Sequence, residues 1–93
     1  MNAELRKMIE RAAIVLKEAG AREVYVFGSA ATGKADEYSD IDLAVSGLPP
    51  ENFFKAMGKA GDILGRPLDL VDLDEGSLFT DYLKKKGKLH RVG

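Results

Sequence analysis

Phe27-Gly28-Ser29, then ten residues from Ala30 to Ser39, then Asp40-Ile41-Asp42-Leu43: the reading of this stretch decides the fold. The apolar run Val24-Tyr25-Val26-Phe27 before it has strand character, so a strand ends at Gly28-Ser29 and the chain turns. Residues i and i+2 of a strand share a face. Asp40 and Asp42 are therefore expected side by side, with Ile41 and Leu43 facing the other way into a core. Adjacent carboxylates repel unless a cation neutralises them, and oxygen ligands of this kind suit Mg²⁺, which takes few protein carboxylates and leaves positions for water and phosphates. A small turn that opens a helix offers unpaired backbone N–H groups to an anion. Gly28 allows close approach and Ser29 adds a hydroxyl. Together the two pieces predict a metal-clamped nucleoside triphosphate, with Asp40 and Asp42 as metal ligands and Gly28 and Ser29 as nucleotide-binding residues.

Upstream, Leu5, Met8, Ile9, Ala12, Ala13 and Leu16 recur at helical spacing, which predicts a core-packing helix from Ala3 to Ala19, capped by Asn2 and ended by Gly20. Glu23 to Phe27 is apolar on both faces, as a strand covered by helices should be. Ala30 to Thr32 is read as a short helix stopped by Gly33, and residues 34–39 as a polar surface connection in which Lys34 either reaches a phosphate or is simply solvated. Asp40 to Ser46 is the second strand. Gly47-Leu48-Pro49-Pro50 breaks it, and Pro50 can begin a helix that runs to Gly65 through Phe53, Phe54, Met57, Ala60 and Leu64. The Phe53-Phe54 pair is expected in the core, with base stacking as the alternative. Gly58 and Gly61 should loosen this helix by roughly 1 kcal/mol each relative to alanine unless close packing requires them.

Leu68 to Leu73 is a third strand, placed beside the earlier ones by a right-handed crossover. A carboxylate inside an apolar strand is costly without a partner, so Asp69 demands one. Asp72 points to the opposite face, and Asp74 follows it; both are read as strand-end or capping residues, with Asp72 the other candidate ligand. Leu78, Phe79, Tyr82 and Leu83 predict a last helix, covering the sheet and ending near Gly87. Beyond it, five of the eight residues from Lys84 to Arg91 are basic, either to complement the helix dipole or to bind RNA or an acidic surface. The order is α-β-α-β-α-β-α: an α/β fold with a small mixed sheet covered by helices.

Gly28-Ser29, ten residues, Asp40-Ile41-Asp42 resembles the signature of the minimal nucleotidyltransferases of the DNA polymerase β-like superfamily. The resemblance spans nearly the whole chain and implies the nucleotidyltransferase fold. It also implies a third carboxylate in an apolar-Asp-apolar setting, matched by Leu68-Asp69-Leu70, so that Asp40, Asp42 and Asp69 would be catalytic and bind Mg²⁺, with ATP as substrate. Many members carry arginines just after Gly-Ser, where this chain has Ala30, Ala31 and Thr32. Similar minimal proteins act as antitoxins beside HEPN-domain ribonuclease toxins, and some transfer AMP to a toxin tyrosine.

The chain's 93 residues, 45% of them hydrophobic, are expected to form one minimal domain, residues 1–93, without an acceptor-binding domain of its own. The acceptor is then expected on another protein. A net charge of −1 gives no global attraction to nucleic acid or to an anionic membrane. No cysteine supplies a disulfide or thiolate site, and no stretch reads as a signal peptide or membrane span, so a cytoplasmic protein is expected. Three functions follow: AMP transfer from ATP to a tyrosine of an HEPN toxin; an antitoxin that masks its partner by contact alone; and RNA binding through the basic tail. Self-association is open.

Overall fold

The structure is a computed structural model that describes residues 2–36 and 38–93; Met1, and Glu37 within the expected 34–39 connection, lie outside the described residues. Helix α1 (Ala3–Glu18) begins where the Asn2 side chain accepts the Leu5 amide at 2.7 Å. Its buried stripe of Leu5, Ile9, Ala12, Ala13 and Leu16 is the one read from the spacing. Strand β1 (Glu23–Phe27) runs directly into α2 (Gly28–Ala31). Then come β2 (Ile41–Ser46), α3 (Pro50–Leu64), β3 (Leu68–Asp72), a 3₁₀ turn (Leu73–Glu75), α4 (Leu78–Lys85) and the two-residue strand β4 (His90–Arg91).

The sheet order is β3-β2-β1-β4, with β2 parallel to β3 and antiparallel to β1, and β4 antiparallel to β1. The parallel pair is linked through α3, the kind of crossover such a pair needs. Helices α1 and α3 cover one face, where Val24, Val26, Ile41, Leu43, Val45 and Leu70 join them in the main core. The other face is covered by the 3₁₀ turn and α4 through a smaller cluster of Phe27, Ala44, Leu73 and Leu83. Covering that face partly leaves the end carrying Asp42 and Asp69 accessible.

Several boundaries and burials differ from the sequence reading. β2 starts at Ile41, so Asp40 lies just outside the strand and is exposed. The Ile41 amide donates to the Pro67 carbonyl at 3.0 Å, and Pro67, having no N–H, cannot carry the ladder further. α2 starts at Gly28 rather than Ala30, and β3 gives way to a 3₁₀ turn at Leu73. β4 has no counterpart in the sequence reading, because two residues carry no periodic pattern. Of the expected core residues on α4, only Leu83 is buried; Leu78 is 90% exposed, and Phe79 and Tyr82 are about half exposed. Phe54, likewise expected inside, is 75% exposed, while Phe53 packs against the main core.

Among the described residues, a Cβ at Gly58 would meet nothing within 4 Å, and one at Gly61 would meet only Leu68 Cβ, at 3.9 Å. Packing requires neither glycine. Gly58→Ala is therefore expected to raise the unfolding free energy by about 0.5–1 kcal/mol, measured by urea denaturation. A lower midpoint would mean that α3 depends on a glycine there.

Candidate active site

The pairing register builds the site. Phe27 pairs with Asp42 across the antiparallel strands, and Asp42 pairs with Asp69 across the parallel ones. Register partners share a face, so Asp42 and Asp69 stand side by side at the rim of the sheet. Gly28 follows Phe27 with φ +70°, a left-handed conformation that swings the chain from strand into helix. The Asp42 carboxylate packs so closely on Gly28 that a Cβ there would collide with Oδ2 and sit 3.2 Å from Cγ. The turn and the two carboxylates thus form one constellation, with Asp40 at its edge on the preceding loop. Ser29, half-buried, holds the turn through its carbonyl, which accepts the amides of Lys34 at 2.9 Å and Ala35 at 3.1 Å.

Electrostatically the site is short of cations. Among the described residues no lysine, arginine or histidine forms an ion pair with Asp40, Asp42 or Asp69. Burial raises the Asp42 carboxyl above its ordinary range, and the Asp69 and then the Asp40 charges push it further up. Among the described residues no three His, Cys, Asp or Glu side chains form a ready-made metal cage. Instead the sheet supplies a carboxylate pair with a third nearby. That donor set fits Mg²⁺, which uses one or two carboxylates and completes its shell with water and phosphate oxygens.

The loop leading to Asp40 is buttressed by a residue that sequence reasoning misses. The Arg66 guanidinium donates to the carbonyls of Asp36 at 2.6 Å and Ser39 at 3.2 Å. Asp36 closes the loop by accepting the Tyr38 amide at 2.8 Å and the Ser39 hydroxyl at 3.1 Å; these bonds, the Tyr38 amide foremost, hold its carboxyl below the usual range. Arg66 offers no signal beyond an Arg-Pro before a strand. Arg66→Ala is expected to release the loop: Mg²⁺-dependent ligand affinity should fall several-fold while the melting temperature drops only slightly. A thermal shift series with and without ligand tests this, and unchanged affinity would show that Asp40 needs no such support.

The competing acid is placed elsewhere. Asp72 pairs with Val45 on the opposite face, and its side chain accepts the Asp74 amide at 2.9 Å. Asp74 in turn accepts the Gly47 amide at 2.6 Å. Both have structural roles. The side chain of Lys34 is exposed.

The sheet and its helices have the nucleotidyltransferase fold. A family model described as polymerase beta, nucleotidyltransferase, matches residues 10–89, and the chain belongs to that family. No curated protein matches it significantly. Among solved structures it is similar to a chain of a toxin–antitoxin complex with AMP-PNP, at TM-score 0.73 and 26% identity over 90% of this chain and 72% of that one. It is also similar to a structure described as that of a candidate minimal nucleotidyltransferase, at TM-score 0.71 and 25% identity over 96% of this chain and 94% of that one. A third similar chain belongs to the complex of a tri-AMPylated Shewanella oneidensis HEPN toxin with its MNT antitoxin, at TM-score 0.55 and 28% identity over 77% of this chain and 59% of that one.

Proposed function

We propose that this single minimal domain transfers AMP from ATP to a tyrosine hydroxyl of a partner HEPN toxin, and so acts as that toxin's antitoxin in the cytoplasm. The observation that carries this reading is the register pairing of Asp42 with Asp69 beside the Gly28 turn. The similar complexes support it: one holds AMP-PNP and another an AMPylated HEPN toxin.

Asp40, Asp42 and Asp69 would hold Mg²⁺, which when bound neutralises charge on the attacking and leaving oxygens. Gly28 and Ser29 hold the terminal phosphates, the glycine allowing close approach and the serine adding its hydroxyl. Asp69, exposed at the rim, accepts the proton of the acceptor hydroxyl as its oxygen bonds to the α-phosphorus and pyrophosphate leaves. Placement and charge do most of the work in such transfers. The test is incubation of the protein with ATP, Mg²⁺ and a purified HEPN partner, read by mass spectrometry of the partner. Addition of one or more AMP groups to tyrosine is expected, and an unmodified partner would contradict the reading.

One observation favours a second reading, masking by contact. Leu78, Phe79, Tyr82 and Phe54 leave apolar surface uncovered, the kind of patch that partners use. Were contact sufficient, the Asp42→Asn variant would still neutralise the toxin and Leu78→Glu would not.

A further inference from the structure

Gly28 borders two features of opposite charge. One is the carboxylate group, where Asp42 packs on the glycine itself. The other is a cavity of about 470 Å³ between α2 and the end of α4, lined by Gly28, Thr32, Phe79, Lys86, Lys88 and His90 among others. Among the described residues no carboxylate lines this cavity, and the charged side chains that do are the cations of Lys86 and Lys88. The residues following Gly28-Ser29 are Ala30, Ala31 and Thr32, which bring no cation to it. Lys86 and Lys88, carried in from the segment after α4, provide that charge instead.

We infer that this cavity is the subsite for the terminal phosphates of the nucleoside triphosphate, with Lys86 and Lys88 as its cationic ligands. The inference rests on the nucleotidyltransferase reading and adds residues to it. A triphosphate carries more negative charge than one divalent cation neutralises, and its far end needs positive groups beyond the metal. The cavity begins at the same glycine that the metal-side carboxylate touches, so a single extended anion can span both features. One effect opposes this, because the C-terminal end of α4 carries a negative dipole. That end is worth about half a charge, against the full charge of each of two lysines. An uncharged base would draw far less from those lysines than a polyphosphate does, and part of the Phe79 ring is occupied by its edge-type contact with Phe27 at 6.0 Å.

The experiment is isothermal titration of ATP and of inorganic tripolyphosphate, each with Mg²⁺, into the wild type, Asp42→Asn and a Lys86→Gln/Lys88→Gln double variant. Both lysines are exposed, so the double variant should keep the wild-type melting temperature. It is expected to bind both ligands at least about tenfold more weakly, by the same factor, as lost charge-assisted bonds predict. ATP binding that Asp42→Asn loses and the double variant keeps in full overturns the subsite while leaving the nucleotidyltransferase reading intact. Weakened ATP binding with unchanged tripolyphosphate binding places the nucleoside there and also overturns it. Absence of Mg²⁺-dependent binding in the wild type overturns both.

Discussion

Asp42→Asn is expected to cut AMP transfer by about a hundredfold to a thousandfold, the scale seen when a group that stabilises transition-state charge is removed. The same variant, free of ligand, should melt at a higher temperature than the wild type at pH 7. Burial, then Asp69, then Asp40 hold the Asp42 carboxyl above its ordinary range. A group whose folded pKa is raised binds its proton more tightly in the native state, so stability falls as pH rises from the unfolded value of about 3.9 through the folded one. Above that window the ionised side chain costs the native state energy that an asparagine does not. The variant's advantage should be complete at pH 7 and gone in acid below both values. Mg²⁺ should raise the melting temperature of the wild type and leave the variant unmoved. A variant less stable than the wild type at pH 7 would mean that the carboxylate has a partner the sheet does not provide.

Gly28→Ala is the second large effect. The left-handed φ alone costs a side-chain-bearing residue roughly 1–2 kcal/mol, and the new methyl would also collide with the Asp42 carboxylate. The chain can relieve that collision only by moving Asp42 or the turn, so binding should be lost together with stability. Gly76→Ala is the control, with φ +74° and, among the described residues, nothing within 4 Å of where its Cβ would stand. In urea denaturation Gly76→Ala should lose only the conformational part, and Gly28→Ala clearly more. Equal losses would show that Asp42 yields freely and that the close packing has no consequence.

Much of this architecture is legible in the sequence because its parts obey simple periods. The stripe of α1, its Asn2 cap, the Pro50 start of α3 and the alternation in β2 and β3 each follow from local geometry. The two-residue rule for strand faces separates Asp69 from Asp72, and the register bears that separation out. What the sequence conceals depends on the third dimension. Leu78, Phe79 and Tyr82 look like core on a helical wheel, but α4 is short and turns only Thr80 and Leu83 inward. Arg66 acts on a loop some thirty residues earlier, a separation no local pattern encodes. The basic segment after α4 reads as a solvated tail in one dimension; the pairing of β4 with β1 folds it back, so that Lys86 and Lys88 line the cavity that Gly28 also borders.

The central claim, that Gly28, Asp42 and Asp69 form a site for a metal-bound nucleotide, is tested most directly by isothermal titration of ATP into the protein with and without Mg²⁺, beside Asp42→Asn. Binding that requires Mg²⁺ and disappears in the variant is the predicted result. Binding indifferent to the metal or to the substitution, or no binding to the wild type, would contradict it.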